Sequence, residues 1–545
     1  MSEQENITRA AGVVAFFTFL SRVAGFARDL VTAYYFGAGM AADAFFVAFR
    51  IPNQLRRLLA EGCLTVAFIP IYTEYLTQRG KEETQEFVSA MLGVLLLVLL
   101  AVVAVGVVFS PAFITVTAPG FVADQAKFDL TVILTQIMFP YVMMVSLVAF
   151  FMGILNSHGQ FGAPAFSSAE LNIVQIITVV VLYQYFSRPI VALAVGVLLG
   201  GLAQVILQLP FIFRLGISLR PRISFRHPGV RRILHLMLPA VFGVAVYQFN
   251  VFFGTLLASL LREGSVSYLY YATRLIEFPL GIFAVALGTA VLPSMARQAT
   301  AGDIAGLKDS ISYALRLVMF INAPAMIGLI VFRQPIVSVL FERGCFDAAA
   351  SAATADAVLA YAVGLWAVSA ARVLVPAYYS LQDTRTPVKC AVVALAANVI
   401  LSLALMGPAW LDLAAGFFVP PAWLAGLSRL LVRLDMSHAG LALANSIAAA
   451  LNMFMLIYGL KKKLGSLGLR RITDSILKTT LASIGMAVII YGLTRLSWGM
   501  PGTVCLLALD IGLGVVAYFA FSYLVGNPEL PAMLGMVRKV VTRFF

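Results

Sequence analysis

The sequence predicts an all-α, polytopic membrane protein of about fourteen transmembrane helices, arranged as two parallel-related six-helix bundles followed by two C-terminal helices. Three observations carry that prediction. The 545 residues are 61% hydrophobic and only 12% charged, with a mean hydropathy of +0.95, far outside the composition of a water-soluble domain. Apolar runs of about 20 residues, the length needed to cross a bilayer, recur from end to end. Landmarks of the first half return in the second at nearly constant spacing, the mark of a duplicated unit.

In chain order the spans cover 10–31, 42–75, 88–112, 128–153, 163–185, 189–213, 232–260, 266–292, 310–331, 354–380, 387–407, 438–460, 475–494 and 502–525. The first is interrupted by Arg22, Arg28 and Asp29 and ends in no small-residue cleavage motif. It reads as a retained helix rather than a removable signal peptide. The second carries Asp43, Arg50, Arg56, Arg57 and Glu61 in an otherwise apolar run, together with Pro52, which lacks an amide hydrogen and should bend the helix. After the sixth span, Arg214, Arg220, Arg222, Arg226, Arg231 and Arg232 fill one loop; after the twelfth, Lys461, Lys462, Lys463, Arg470 and Arg471 fill another. Loops this basic stay in the cytoplasm. Counting spans outward from them puts both termini on the cytoplasmic side, with Arg538, Lys539 and Arg543 in a tail near anionic membrane lipids. The same count puts the long segment 409–437 outside the cytoplasm, with no function assigned to it.

The duplication rests on three landmarks. Arg50, in Ala48-Phe49-Arg50-Ile51-Pro52, recurs 224 residues on as Arg274, in Ala272-Thr273-Arg274-Leu275-Ile276. Pro70 recurs as Pro293 and Pro164 as Pro387, each at 223 residues. An offset that spans six helices leaves both copies in the same orientation, so an axis along the membrane normal should relate them. The chain then divides into an N-terminal bundle (1–213), a basic cytoplasmic linker (214–231), a C-terminal bundle (232–460) and a last helix pair with its basic tail (461–545). Paired bundles of this kind bind substrate between the repeats and alternate access, which favours a carrier.

Charges inside the spans indicate the cargo. A cation at the bilayer centre costs roughly 2.5 to 3.5 kcal/mol even on the lenient insertion scale, so several together call for water, acids or an anionic ligand. Asp43, Arg50 and Arg57 repeat every seven residues and so share a helix face, Arg57 and Glu61 are four apart, and Arg56 points about 100° away with no local acid. Arg56 reads as the freest cation. In the first span Arg22 and Arg28 flank Gly25, where another helix can approach closely. In the eighth span Arg274 and Glu277 are three apart, in pairing distance. The expected site is a mainly cationic cleft contributed by the first, second and eighth spans, with Asp43 and Glu61 holding its arginines when no ligand is present. A guanidinium fork suits phosphate oxygens, whereas a carrier of small cations would need an acidic surplus. Cys63, Cys345, Cys390 and Cys505 have no paired spacing, and His158, His227, His235 and His438 are isolated, so no metal site or disulfide framework is expected. The basic loops follow topology and lipid contact, not nucleic acid.

The same residues carry a family likeness. Ser21-Arg22-Val23-Ala24-Gly25-Phe26-Ala27-Arg28-Asp29, Phe36-Gly37-Ala38-Gly39, Ala42-Asp43-Ala44-Phe45-Phe46-Val47-Ala48-Phe49, Leu55-Arg56-Arg57 and Ala60-Glu61-Gly62 resemble the N-terminal signature of the MurJ (MviN) lipid II flippases. These belong to the multidrug/oligosaccharidyl-lipid/polysaccharide exporter superfamily. The resemblance continues through Thr117-Ala118-Pro119-Gly120-Phe121, Tyr270 to Pro279, Ala286-Leu287-Gly288-Thr289, Leu292-Pro293-Ser294 and Tyr378-Tyr379-Ser380. It implies a flippase of the bacterial cytoplasmic (inner) membrane that serves peptidoglycan synthesis and is not an enzyme. It implies cavity roles for Arg22, Arg28, Asp43, Arg56, Arg57, Arg274 and Glu277, with Arg28, Arg56 and Arg274 as ligands of the lipid II diphosphate; Gly25, Pro52 and Pro164 would be structural. One departure is Thr273, where some relatives have an acid. Arg274 therefore has one fewer local partner.

No cofactor is expected, and no G-x-x-x-x-G-K-[ST] loop is present to bind a nucleotide. Coupling to the membrane potential or to a monovalent cation is compatible with this sequence, as is contact with the cell-wall synthesis machinery. Three alternatives remain: an exporter of other polyprenyl-diphosphate oligosaccharides, a membrane enzyme acting on lipid diphosphates, and a non-transporting scaffold. The enzyme lacks the acidic metal-binding pair or activated nucleophile its chemistry would need, and a cationic-drug antiporter is disfavoured by the surplus of arginine.

Overall fold

A backbone in hydrocarbon must pair its amides within its own segment, which a helix does. In the computed structural model, which describes residues 3–56, 65–407, 436–497 and 504–535, every regular element is helical. The chain forms two compact units, one up to Ser267 and one from Tyr268.

The first unit contains α1 (Glu3–Phe36), α2 (Met40–Arg56), α3 (Thr65–Gln78), α4 (Gly80–Val108), α5 (Ser110–Thr117), α6 (Gln125–Met138), α7 (Tyr141–Ser157), α8 (Gly162–Leu182), α9 (Val191–Arg214) and α10 (Pro228–Ser259). The start of α11 (Ser265–Pro279) closes this unit and the rest of that helix opens the second. A π-helical turn, Leu280–Ala284, joins α11 to α12 (Val285–Thr300). There follow α13 (Ile304–Phe341), α14 (Ala348–Ala362), α15 (Leu365–Ser380), α16 (Arg385–Leu405), α17 (Ser437–Leu464), α18 (Leu469–Ser497) and α19 (Val504–Leu524).

Nine helical segments among the described residues are long and apolar enough to cross a membrane, or ten if the bent pair α14–α15 counts as one. These ten correspond to ten of the predicted spans. Helix also covers the described residues of the other four, and three of these, α1, α2 with α3, and α11 with α12, carry the arginines singled out above. Most of predicted segment 409–437 lies outside the described residues.

One boundary differs from the sequence-based division. The sequence assigns 232–260 to the second bundle, but α10 packs with α3, α4 and α5 in the first unit. A repeat offset identifies equivalent positions; it carries no information on which bundle a connecting helix leans against. The linker before α10 is likewise fixed to this unit. Ser218 donates its amide to Gln85 Oε1 at 3.0 Å, the Gln85 amide nitrogen returns a bond to the Ser218 carbonyl, and Arg222 N donates to Ser89 O at 2.9 Å. A Cβ at Gly93 would fall 2.4 Å from the Arg222 carbonyl oxygen, so only glycine lets the strap lie this close to α4.

Local details repeat at the spacing read from the sequence. Asp124 caps α6 through Lys127 N (3.1 Å), and 223 residues later Asp347 caps α14 through Ala350 N (2.7 Å). The span α6–α7 breaks at Phe139-Pro140; the span α14–α15 breaks at Val363-Gly364 with a 44° bend. Gln160 N reaches back to Leu155 O at 2.9 Å after Gly159 (φ 72°), and Asp383 N reaches back to Tyr378 O at 3.0 Å after Gln382 (φ 56°), the same helix-ending closure in both copies. Pro164 and Pro387 occupy the third position of α8 and α16, within the first turn where proline's missing donor has no helical acceptor.

Asp383 then caps α16, accepting from Arg385 N, Thr386 N (both 3.0 Å) and Thr386 Oγ1 (2.6 Å), and it pairs with Lys463 at the end of α17. The Lys463 bond first, and then the Thr386 bonds, hold its carboxyl well below the usual carboxylate range. A folded-state pKa below the unfolded one means the contribution is full above the ordinary carboxylate value and is lost only as pH falls through the depressed one. Asp383→Asn is therefore expected to lower the melting temperature at pH 7 by a margin that stays constant down to pH 5. Thermal unfolding in detergent at the two pH values checks this, and no difference between wild type and variant would refute it.

Each unit has its own core. In the first, Phe68, Tyr72, Phe87 and Phe150 are fully buried, and the Phe68 ring lies 4.9 Å from Phe150 and 5.3 Å from Tyr72, centroid to centroid. In the second, Leu307, Ile311, Val318, Leu365, Leu374 and Tyr378 form the centre of a larger cluster.

Candidate functional site

Intramembrane charges can be retained only where something compensates them. Arg28 on α1 is compensated by its immediate neighbour: Nη2 and Nε donate to Asp29 Oδ1 at 2.7 and 3.2 Å, with the guanidinium mostly buried. Arg22 is exposed one and a half turns earlier and makes no ion pair with a described residue. Between them, Gly25 brings α1 within ordinary contact of α8, a Cβ there lying 3.5 Å from Asn172 Nδ2. Asn172 also donates to Ser21 O at 3.4 Å. The close approach expected at Gly25 is thus present, with α8 as the neighbour.

On α2 the arginines find polar partners that sequence spacing did not identify. Arg50 Nη1 donates to Thr255 Oγ1 on α10. Arg56 Nε donates to Asn53 Oδ1 at 3.0 Å, so Arg56 is not the free cation expected from the lack of a local acid. The amide of Asn53, one turn back, serves instead. Pro52 is buried inside α2, which stays helical through it. Arg57 and Glu61 lie outside the described residues.

Asp43 corrects the expectation more strongly. Its seven-residue spacing from Arg50 suggested a partner for the arginines; in the structure it accepts from Lys127 Nζ (2.8 Å), Gly264 N (2.8 Å), Ser267 N (2.9 Å) and Ser267 Oγ (2.7 Å). Both members of the ion pair are buried, Asp43 being 1% and Lys127 7% exposed. The Lys127 ammonium also lies 4.2 Å from the centre of the Phe121 ring, a cation–π contact. Next to it, Met40 N donates to Glu263 Oε1 at 2.6 Å. Asp43 therefore fixes the first turn of α11, where a carboxylate satisfies amides that have no helical acceptor and complements the positive end of the dipole. It supports the helix that carries Arg274, seven residues further on, and does not pair with a guanidinium. Lys127 was missed because it opens an apolar span, where lysine ordinarily snorkels to the interface, and because its partner is 84 residues away.

Arg274 makes the expected contact: Nη1 donates to Glu277 Oε2 at 2.9 Å. Nη2 donates to Tyr270 OH at 3.0 Å, and the guanidinium carbon lies 4.7 Å from that ring's centre. The side chain is 34% exposed. Carboxylate, phenol and ring orient a planar fork without burying it, the condition needed to receive a second anion. Arg316, which had no local partner in sequence, pairs with Glu529 at 2.7 Å, and Ser475 on α18 also donates to that carboxylate at 3.2 Å. The pair anchors the segment after α19 to α13 and has no place among the cavity arginines. A cleft of about 660 Å³ in the first unit, lined by Tyr72, Lys81, Gln85, His158, Arg220 and Arg222 among others, contains none of the predicted ligands. Among the described residues no group of three His, Cys, Asp or Glu side chains could hold a metal.

Comparisons with known proteins agree with one another. Residues 32–417 match the family model described as lipid II flippase MurJ. The chain is 36% identical over 535 residues to the probable lipid II flippase MurJ of Vibrio cholerae serotype O1, covering 96% of this chain and 97% of that one. It is 36% identical over 492 residues to the lipid II flippase MurJ of Burkholderia cenocepacia, covering 90% and 89%. Among solved structures, a lipid II flippase MurJ in an inward closed conformation superposes with a TM-score of 0.74 at 26% identity, covering 94% of this chain and 98% of that one. An inward-facing MATE-family multidrug transporter of the MOP superfamily gives 0.63 at 11% identity, covering 82% and 95%, a likeness of fold alone.

Proposed function

From the premise that this chain belongs to the MurJ lipid II flippase family, we propose that it carries lipid II from the cytoplasmic to the outer leaflet, with Arg28, Arg56 and Arg274 as ligands of the diphosphate. It is a multi-pass membrane transporter and not an enzyme. One observation supports this choice of ligands above the others. Arg274 is oriented by Glu277 and Tyr270 yet left a third exposed, so an incoming diphosphate meets a fixed guanidinium without first breaking into a sealed pair. Arg28, held by Asp29, and Arg56, held by Asn53, are likewise oriented by polar groups on their own helix.

Lipid II joins a diphosphate to a disaccharide-pentapeptide on one side and a polyprenyl tail on the other. Only the polar part needs a protein path. In this reading the headgroup enters from the cytoplasm, where both termini and the two basic loops lie, and the tail stays in lipid along α18 and α19. A potential negative inside favours outward movement of anions by roughly 2.3 kcal/mol per charge per 100 mV, so about two diphosphate charges gain about 4 to 5 kcal/mol on crossing. The same field draws the emptied cationic cavity back, and the cycle turns over without a nucleotide. The bacterial cytoplasmic membrane and its cell-wall synthesis machinery are the setting this cargo requires.

The test is a reconstituted leaflet assay with lipid II, run beside other polyprenyl-diphosphate oligosaccharides and followed by mass analysis. The expected result is transfer of lipid II between leaflets at unchanged mass. A changed mass would mean an enzyme, and equal transfer of every polyprenyl-linked sugar would make lipid II one cargo among many.

A further inference from the structure

The cleft of about 660 Å³ in the first unit has the volume of a small-molecule site, and its walls are fixed. One wall is the start of α4. The other is the strap after α9, which turns out of that helix at Gly216 (φ 74°) and is tied to Gln85 and Ser89 by the bonds described above. Leu76, Val88, Leu215 and Ile217 give the lining an apolar part. Tyr72, fully buried, and His158 also border it, the Tyr72 hydroxyl lying 3.0 Å from His158 Nε2. His158 follows α7 outside the membrane spans, and burial lowers its pKa, so the ring is neutral at pH 7. In the tautomer in which Tyr72 donates to Nε2, Nδ1 keeps the proton and can donate to a ligand.

The charges of the lining are incompletely matched. In this region Arg79 pairs with Glu83 at 3.4 Å, Arg222 with Glu86 at 3.2 Å and Arg232 with Glu74 at 2.6 Å. Lys81 on α4 and Arg220 on the strap, which border the cleft from its two walls, make no ion pair or hydrogen bond with a described residue. Glu82, the one acid of the lining outside those pairs, joins neither of them. Two unmatched cations therefore face one acid, in a cleft whose protein walls focus the field.

We propose that this cleft binds an organic phosphate of about nucleotide size, its phosphate held by Lys81, Arg220 and His158 and its organic body lying against the apolar lining. The two cations decide the anion: a carboxylate carries one charge and would leave one of them unmatched, whereas a phosphate monoester carries close to two at neutral pH and presents several acceptor oxygens to a guanidinium fork, an ammonium and an imidazole together. The volume decides the body, since inorganic phosphate would leave Leu76, Val88, Leu215 and Ile217 uncovered. The site shares no residue with Arg28, Arg56 and Arg274. By the orientation adopted above it opens on the cytoplasm, where soluble nucleotides and the headgroups of phosphate-monoester lipids both present this chemistry. A role in the transport cycle rests on the carrier reading, because an occupant bracing α4 against the strap would bias whichever conformer holds the two in this register; the existence of the site does not.

Equilibrium dialysis of the purified full-length chain in detergent against radioactive adenosine monophosphate tests this, with adenosine and inorganic phosphate as competitors. Saturable binding is expected, with phosphate competing weakly and adenosine not at all. The double variant Lys81→Gln, Arg220→Gln should bind about tenfold more weakly or worse at an unchanged melting temperature, because neither side chain has a partner among the described residues to lose. Repeating the measurement in phosphatidylcholine nanodiscs with and without phosphatidic acid separates the two sources. Displacement of the nucleotide by phosphatidic acid assigns the site to a lipid headgroup, and undiminished binding assigns it to a soluble ligand. No saturable binding in detergent, equal affinity in wild type and double variant, or competition by adenosine as strong as that by the nucleotide would overturn the proposal. None of these outcomes bears on the choice of lipid II as cargo, which the leaflet assay tests separately.

Discussion

Alanine in place of Arg28, Arg56 or Arg274 is expected to abolish translocation of the lipid II headgroup while leaving folded protein in the membrane. Each substitution removes a planar, permanently charged donor set from the path of a diphosphate, and a charge-assisted hydrogen bond contributes about 1.5 to 3 kcal/mol, so transport should fall at least tenfold per arginine. Lysine at the same positions keeps the charge without the bidentate fork, and should restore part of the rate at best. Folding should survive, because none of the three side chains lies in the aromatic or aliphatic cores. The leaflet assay and complementation of a strain lacking its own flippase read the outcome. Full activity in all three alanine variants would reject these residues as diphosphate ligands.

The second large effect belongs to Asp43. Alanine there removes four accepted hydrogen bonds and leaves Lys127 as an uncompensated charge in a buried setting. Breaking a buried pair from one side costs about 3 to 5 kcal/mol, so Asp43→Ala should unfold at a clearly lower temperature and let the start of α11 fray. The double variant Asp43→Ala, Lys127→Met should recover much of the loss, since methionine fills the space of lysine without its charge. Thermal unfolding of the four chains closes the cycle. A double variant no more stable than Asp43→Ala would show that the ion pair is not what the carboxylate is for.

The fold was largely legible because the hydrophobic solvent simplifies the code. Length and apolarity alone located ten of the fourteen predicted spans among the described residues, and the interval read from Arg50, Pro70 and Pro164 recurs in features that hydropathy and those landmarks did not single out, such as the capping acids Asp124 and Asp347 and the paired helix closures at Gly159 and Gln382. The candidate site was legible in part. Pairs three residues apart on one helix, such as Arg274 and Glu277, follow from helical geometry. Partners from elsewhere in the chain do not: Asp43 meets Lys127 and the 264–267 turn, Arg50 meets Thr255, and Arg316 meets Glu529, contacts separated by 84 to 224 residues. Nor does helical spacing choose between neighbours at similar range. Arg28 takes the adjacent Asp29 and Arg56 the nearby Asn53, because a flexible guanidinium bends to the nearest oxygen whatever face it nominally occupies.

The grip of Asp43 on Ser267 also sets a condition on chain length. The two residues are 224 positions apart, whereas Lys127, which pairs with the same carboxylate, is only 84 away. During synthesis the ion pair can therefore form long before the 264–267 turn exists. The turn then docks onto a carboxylate already held in place, and a chain cut short before Gly264 would keep the charge pair and lack the amides that complete it.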